Sequence, residues 1–105
     1  MRGDVHRLRT PKGGGHEQRG SRFAVVLQSD SMPLSTVVVA PTSTSCRAAS
    51  FRPEVEVARW KTRVMVEQMA AVDWSRLGEP VGHLTASELE DIDGAALAVL
   101  ALTGR

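Results

Sequence analysis

The sequence has little cysteine, few aromatic residues and no long apolar run. Its 105 residues include one cysteine, Cys46, which excludes an internal disulfide and a multi-cysteine metal site. No apolar run approaches the roughly 18 residues that a membrane-spanning helix needs. No apolar segment follows residues 1–4, so we expect no secretory signal. Together these absences predict a cytoplasmic protein without a membrane segment.

Charge is distributed unevenly along the chain, although the formal net charge is only +1. Residues 1–65 have a balance of +6, whereas residues 66–105 have a balance of −5. A basic front half suits a polyanionic ligand, but a solvated surface with uneven charge explains the same distribution equally well. The length fits a single domain over residues 1–105, and a core this small favours dimerisation.

Short apolar and β-branched segments between polar loops predict a small antiparallel β structure. We expect strands over residues 5–8, 23–27, 36–40, 54–57, 63–69 and 81–84. Pro41 is expected to end the third strand, because proline lacks the N–H that a strand ladder uses. Residues 10–21 contain four glycines and predict a long loop. Residues 58–62 are expected to form a hairpin turn, and residues 73–78 a single helical turn.

A C-terminal helix is the clearest element in the sequence. Thr85 and Glu88 have the spacing of a capping box, which marks a helix start. Apolar residues then recur at helical spacing and predict one buried face: Leu89, Ile92, Ala96, Val99 and Leu100. Strands followed by one closing helix predict an α+β fold, a small β-barrel with a C-terminal helix.

Polar side chains with possible chemistry lie where loops meet predicted strands. Glu17 is in the long loop, and Arg22 directly precedes a buried strand. The planar guanidinium suits phosphate, although an exposed arginine with a surface glutamate partner explains the spacing as well. Ser43 and Thr44 follow another strand, where hydroxyl groups either donate to phosphate or cap a turn.

Other features point less directly to a ligand. Trp60, between Arg59 and Lys61, is placed either to stack on a base or to rest against the barrel. The three histidines lack metal-ligand spacing, and Cys46 has no paired histidine in a known motif. The glycines at 13–15 are not followed by the Gly-Lys-Ser/Thr of a phosphate-binding loop. We therefore expect neither a metal nor a cofactor.

Several segments, in order along the chain, resemble the MazF/PemK family of toxins. Residues 15–26, GHEQRGSRFAVV, are similar to the family's Gly-x-Glu-Gln-x-Gly-x-Arg-Pro-Ala-Val-Val motif. Residues 37–43, VVVAPTS, resemble its valine-rich strand ending in Ala-Pro-x-Thr. Weaker similarities to the family lie before these segments, at residues 2–6, and after them, at residues 64–68, 75–78 and 81–85. The likeness thus extends over nearly the whole chain.

This resemblance implies an SH3-like antiparallel barrel with a C-terminal helix, as in MazF, PemK and CcdB, working as a homodimer. It implies the toxin of a type II toxin–antitoxin system, inhibited by a MazE-like antitoxin. The implied activity is metal-independent, sequence-selective endoribonuclease cleavage of single-stranded RNA: mRNA, rRNA or tRNA. Attack by the 2′-hydroxyl would leave a 2′,3′-cyclic phosphate and stop translation and growth.

The same resemblance implies the site residues. The family's catalytic arginine, threonine and loop glutamate correspond to Arg22, Ser43 and Glu17. Further residues are candidates for RNA binding: Arg19, Gln18, Thr44, Arg47, Trp60, Lys61 and Gln68. The chain departs from the pattern at Phe23 for proline, His6 for an aromatic residue and Ser43 for threonine. Without the threonine methyl group, we expect the Ser43 hydroxyl to be less restrained.

Two alternatives stay open beside the nuclease. One is a catalytically weak family member that only binds antitoxin or RNA. The other is a CcdB-like gyrase inhibitor, which is less favoured because such proteins use a C-terminal Trp-Gly-Ile and this chain has Leu-Thr-Gly-Arg at residues 102–105.

Overall fold

Seven strands and one α-helix make up the described part of the fold, which covers residues 1–9 and 22–102 of a computed structural model. The elements are β1 (Asp4–Leu8), β2 (Phe23–Val26), β3 (Thr36–Ser43), β4 (Glu54–Val57), β5 (Trp60–Val64), β6 (Ala70–Asp73), β7 (Leu77–His83) and α1 (Ala86–Val99). Short 3-10 helices lie at Val66–Gln68 and Trp74–Arg76. The loop predicted over residues 10–21 lies outside the described residues.

Strand β3 is at the centre of the antiparallel sheet. Hydrogen-bonded neighbours follow the order β4-β5-β3-β2-β1-β7, and β6 also pairs with β3. On the edge of β3 away from β2, the partner changes from β6 at residues 36–39 to β5 at residues 42–43. The sheet curls into a half-barrel. The predicted α+β fold, an antiparallel barrel with a C-terminal helix, is confirmed.

Apolar side chains form a cluster on each face of the sheet. The larger cluster includes residues of α1 and consists of Val5, Val25, Ala40, Val55, Val57, Val64, Val66, Leu84, Ile92 and Ala95. The smaller one consists of Ala24, Val26, Val37, Val39 and Leu77. Consecutive strand residues point to opposite faces, so β2 supplies both clusters. This explains why the β2 sequence is continuously apolar.

Helix α1 begins with the predicted capping box. Thr85 Oγ1 accepts from the Glu88 N–H at 3.1 Å, and Glu88 Oε1 accepts from the Thr85 N–H at 2.9 Å. Ile92 is fully buried, as predicted, and Ala95 is also buried. The expectation for Leu100 is wrong, because the helix ends at the preceding residue and Leu100 is exposed. No helix within the described ranges is long and apolar enough to cross a membrane.

Strand β3 continues through Pro41, contrary to prediction, and ends at Ser43. The Pro41 carbonyl accepts from the Met65 N–H at 2.8 Å. In an antiparallel strand, the N–H and C=O of a residue point to the same side. The missing Pro41 N–H therefore faces the junction between β6 and β5, and its absence removes no hydrogen bond to β2.

The turn between β4 and β5 is shorter than predicted. Only Ala58 and Arg59 separate the strands, and both have positive φ, 51° and 72°. Two positive φ values are typical of a type I′ turn, for which Asn-Gly is the usual sequence signal. The chain lacks that signal here, which explains the wrong prediction of a turn over residues 58–62.

The single strand predicted over residues 63–69 is also wrong. Strand β5 ends at Val64, a 3-10 helix follows, and β6 begins at Ala70. The helical turn predicted over residues 73–78 is confirmed at Trp74–Arg76, but Gly78 belongs to β7. Strand β7 is correspondingly longer than the predicted strand over residues 81–84. The sequences of residues 63–69 and 73–84 are compatible with strand or with helical turn. Their hydrogen-bond partners in the fold decide which of the two forms.

We expect Thr85→Ala to lower the free energy of unfolding by about 1 kcal/mol, because the Glu88 N–H loses its capping acceptor. Thr85→Ser keeps the hydroxyl and should remain close to wild type. Urea denaturation followed by circular dichroism measures both changes. Equal stability of the alanine variant and wild type would contradict this role for the cap.

Candidate functional site

The β2–β3 register brings Arg22 and Ser43 to the same end of the sheet. The last pair of this ladder is Ala24 with Pro41. Arg22 lies two residues before Ala24, and Ser43 lies two residues after Pro41 on the neighbouring antiparallel strand. The Arg22 carbonyl also accepts from the Leu8 N–H at 2.9 Å. Backbone pairing therefore directs two of the three predicted catalytic residues to one end of the sheet.

The Ser43 hydroxyl caps the turn that follows β3. Its Oγ accepts from the backbone N–H groups of Ser45 and Cys46, each at 3.1 Å. The sequence left turn capping and ligand contact as alternatives, and the capping role is confirmed. Two backbone donors restrain the hydroxyl, contrary to the expectation of a looser group. With both acceptor sites in use, the Ser43 hydroxyl donates its single proton to Ser45 Oγ at 3.4 Å, a long hydrogen bond.

An open pocket of about 290 Å³ lies beside Ser43. Its lining residues are Ser43, Thr44, Glu54, Lys61, Thr62 and Arg63. Two predicted RNA-binding residues, Thr44 and Lys61, therefore meet a predicted catalytic residue at one cavity. The remaining three lining residues were not singled out from the sequence.

Strand pairing explains why Glu54 and Arg63 lie beside Ser43. Ser43 pairs with Arg63 between β3 and β5, and Arg63 pairs with Glu54 between β5 and β4. A row of three side chains thus crosses this end of the sheet from Ser43 through Arg63 to Glu54. Sequence alternation indicates that Lys61 and Arg63 share a face of β5, but only the register shows what that face adjoins.

The charged groups of this pocket contact one another. Arg63 Nη1 donates to the Arg52 carbonyl at 2.8 Å. Arg63 Nη2 lies 3.6 Å from Glu54 Oε1, and Lys61 Nζ lies 3.7 Å from Glu54 Oε2. One carboxylate is therefore shared between two cations.

Arg52 connects the loop after β3 to the 3-10 helix after β5. Its Nε and Nη2 donate to Glu67 Oε2 at 3.0 and 2.7 Å, and its Nη1 donates to the Arg47 carbonyl at 3.1 Å. These Arg52 hydrogen bonds hold the pKa of Glu67 below its ordinary value, and the same contact raises the pKa of Arg52. The loop that follows Ser43 is held in place by this ion pair.

Other predicted RNA-binding residues lie away from the pocket. Trp60 is 74% exposed at the start of β5, so it does not rest against the barrel. Arg47 and Gln68 are exposed but do not line the cavity. The predicted positions in the long loop lie outside the described residues: Glu17, Gln18 and Arg19.

The two remaining departures from the motif are both accommodated in the sheet. The Arg7 guanidinium carbon lies 5.4 Å from the centre of the Phe23 ring, and the Phe23 carbonyl accepts from Thr42 Oγ1 at 3.4 Å. His6 Nδ1 lies 3.0 Å from the Gly78 carbonyl on β7. Within residues 1–9 and 22–102, no group of three or more His, Cys, Asp or Glu side chains is arranged to hold a metal ion.

Known proteins match this chain in sequence and in structure. A family profile described as PemK-like, MazF-like toxin of type II toxin–antitoxin system matches residues 1–100. A protein of Mycobacterium tuberculosis, named as a candidate toxin, is 45% identical over 89 residues, which cover 84% of each chain.

Two solved structures illustrate the similarity of fold. An endoribonuclease from a mycobacterial species, solved with its cognate antitoxin, has a TM-score of 0.82 at 16% identity, covering 100% of this chain and 98% of that one. A MazE–MazF structure from Deinococcus radiodurans has a TM-score of 0.75 at 25% identity, covering 96% of this chain and 95% of that one. Both likenesses extend over the curled sheet and its C-terminal helix.

The Arg52–Glu67 pair should make stability depend on pH. The folded-state pKa of Glu67 is lowered, so its contribution is fully present above the ordinary glutamate value of 4.5 and is lost as pH falls through the folded value. Glu67→Gln should therefore lower the melting temperature near neutral pH, and its deficit should shrink in acid.

Thermal unfolding of wild type and Glu67→Gln over a pH series measures this effect. Glu56→Gln removes the same charge from an exposed position and serves as the control. A deficit for Glu67→Gln that stays constant from neutral pH to well below 4.5 would show that the ion pair is not its source.

Proposed function

This chain belongs to the family of PemK-like, MazF-like toxins of type II toxin–antitoxin systems, and we propose that it is a metal-independent, sequence-selective endoribonuclease that cleaves single-stranded RNA. The observation that carries the proposal is the β2–β3 register, which directs Arg22 and Ser43 to the same end of the sheet. A permanent cation and a hydroxyl with a proton to donate are suited to one phosphate group.

The proposed reaction is an internal transfer at phosphorus. The ribose O2′ attacks the adjacent phosphorus atom, so an O2′–P bond forms and the P–O5′ bond breaks. The products are a 2′,3′-cyclic phosphate and a free 5′-hydroxyl. One proton must leave O2′ and another must reach O5′, so the reaction needs a base and an acid but no redox partner.

Glu17 is proposed as the base that accepts the O2′ proton, on the resemblance of residues 15–26 to the family motif. Arg22 is assigned to the negative charge that develops on the phosphorane, with proton donation to O5′ as a further role. Arginine suits charge stabilisation because its high pKa keeps the guanidinium protonated at neutral pH, and the departing O5′ alkoxide is basic enough to take a proton from it as the P–O5′ bond breaks. The Arg22 carbonyl accepts from the Leu8 N–H, so the backbone that carries this side chain is tied to β1 before RNA binds.

Ser43 is proposed to donate its hydroxyl proton to a non-bridging phosphate oxygen. Its two acceptor sites already bind the N–H groups of Ser45 and Cys46, so the hydroxyl is oriented without the threonine methyl group. A preorganised donor needs no reorganisation as charge develops, which is the basis of oxyanion-type stabilisation.

We also propose that the active form is a homodimer controlled by a MazE-like antitoxin in the cytoplasm. The MazE–MazF pair of D. radiodurans and the mycobacterial endoribonuclease with its antitoxin support this assembly by similarity. The exposed side chains of Met32, Leu34 and Trp74 offer apolar surface of the kind that subunit contacts cover. An acidic antitoxin segment would compete with RNA for the cations beside Ser43. Cleavage of mRNA, rRNA or tRNA would then stop translation and growth.

Removing either proposed phosphate ligand should suppress cleavage. Arg22→Ala and Ser43→Ala are each expected to slow cutting by about 10²–10³-fold, the usual loss for one preorganised donor. Primer extension on a long RNA maps and quantifies the new 5′ ends. Ser43→Thr keeps the hydroxyl and should retain activity, and Ser35→Ala, which removes an exposed hydroxyl outside the pocket, is the matched control.

Circular dichroism checks folding, because Ser43→Ala also removes the turn cap. A folded Arg22→Ala variant that cuts as fast as wild type would overturn its assignment. If no new 5′ ends appear, even with wild-type protein in excess, a family member that only binds RNA or antitoxin is favoured.

Replacing the ribose at the mapped cut position with deoxyribose should block cleavage and leave binding nearly unchanged, because the nucleophile is the 2′-hydroxyl. Gel analysis of matched oligonucleotides, with a deoxyribose one position away as the control, measures this. Cutting of the substituted oligonucleotide at the same bond would rule out O2′ attack.

A further inference from the structure

Glu54 and Arg63 adjoin Ser43 but have no part in the reaction proposed above. Arg63 is anchored, since its Nη1 donates to the Arg52 carbonyl at 2.8 Å and its side chain is 29% exposed. Glu54 is held loosely, since its oxygens lie 3.6 Å from Arg63 Nη2 and 3.7 Å from Lys61 Nζ, and its side chain is 46% exposed. Both distances exceed those of charge-assisted hydrogen bonds.

A fixed cation with a weakly held counter-ion is a site for exchange of anions. Exposed ion pairs of this kind contribute little to stability, so replacing the carboxylate by another anion costs little. Guanidinium groups prefer planar, two-oxygen partners, and phosphate offers them as well as carboxylate does. Glu54 therefore occupies a place that a phosphate group fits.

The strand register indicates which phosphate of an RNA strand would lie beside Arg63. Ser43 and Arg63 are direct partners in the β3–β5 ladder, with Cβ atoms about 5 Å apart by general geometry. An RNA strand with one phosphate at Arg22 and Ser43 therefore meets Arg63 next if it follows the row of side chains. The open pocket of about 290 Å³ leaves space on this path.

Resting on the proposed nuclease function, we propose that Arg63 binds a second backbone phosphate of single-stranded RNA, adjacent to the one at Ser43, and that Glu54 is an internal competitor for that position. RNA displaces the Glu54 carboxylate from Arg63 and Lys61 when it binds. The competitor weakens binding of any polyanion that reaches only this pocket. RNA that also engages Arg22 and Ser43 has further contacts to offset the competition, so Glu54 contributes to selectivity.

A carboxylate beside an RNA groove has a second conceivable role, which is to accept from the exocyclic amine of a base. The two roles predict opposite effects of Glu54 on the affinity for RNA. A competitor weakens binding, so its neutralisation tightens binding for all sequences. A base reader strengthens binding to one base, so its neutralisation weakens binding and changes the preferred sequence. The competitor is favoured because both Glu54 oxygens face cations in the free protein.

Binding of a non-cleavable RNA tests the proposal. The probe is a fluorescent single-stranded RNA with deoxyribose at the mapped cut position, and anisotropy is measured over a series of salt concentrations. Arg63→Gln should weaken binding about tenfold, the usual value of one charged hydrogen-bonded contact. It should also lower the slope of log Kd against log salt by roughly 0.7, as expected for one phosphate contact to a single strand.

Glu54→Gln should tighten binding about three- to tenfold and leave the preferred RNA sequence unchanged, because it frees a charged contact. The matched control is Glu56→Gln, which removes the same charge from the same face of β4 at a position that is outside the pocket and pairs with Lys61 rather than Arg63. In the Arg63→Gln background, the gain from Glu54→Gln should shrink, because the two groups act on one position. Melting temperatures establish that each variant is folded.

Several results would overturn the proposal. They are weaker binding by Glu54→Gln, equal gains from Glu54→Gln and Glu56→Gln, or a salt slope unchanged by Arg63→Gln. The nuclease proposal is judged separately by wild-type cleavage. If wild type binds RNA without cutting it, the same affinities measured on all-ribose RNA still decide the roles of Glu54 and Arg63. If wild type binds no single-stranded RNA, both proposals fail.

Discussion

Strand β3 forms hydrogen bonds along both edges, and the arrangement of the rest of the protein depends on this pairing. One edge binds β2, and the other binds first β6 and then β5. The change of partner near Pro41 curls the sheet and leaves the end of β3 between β2 and β5. Arg22, Ser43 and Arg63 therefore lie at one end of the sheet although the first and the last are 41 positions apart in the sequence. The candidate site follows from backbone pairing before any side-chain contact is considered.

Charge around this row is organised in pairs that differ in strength. Arg52 and Glu67 are joined by short hydrogen bonds that lower the pKa of the carboxyl group, and the pair holds the loop after Ser43. Arg63 and Glu54 are joined only by a longer ionic contact. The Arg52–Glu67 pair therefore stabilises the fold, whereas the carboxylate of the Arg63–Glu54 pair can be replaced by another anion. The two pairs differ because their distances and their numbers of hydrogen bonds differ.

The sequence predicted elements best where the signal is local. The capping box at Thr85 and the continuously apolar β2 segment each depend on neighbouring residues, and both predictions are confirmed. Predictions from the sequence were wrong where the structure of a segment depends on the strands that pair with it. Pro41 is tolerated because its missing N–H faces a junction, and Ala58 and Arg59 adopt a tight turn without the usual glycine. Neither circumstance can be read from a short window of sequence, since both depend on distant strands.

By itself the sequence determined the α+β class, the closing helix and the family resemblance, since periodicity, caps and motifs are properties of consecutive residues. It also indicated Arg22 and Ser43 as separate strand-end residues. Only the tertiary structure decided that these two lie at the same end of the sheet and that Arg63 and Glu54 lie beside Ser43. The physical reason is register: a shift of one residue in any ladder turns every following side chain to the other face of the sheet.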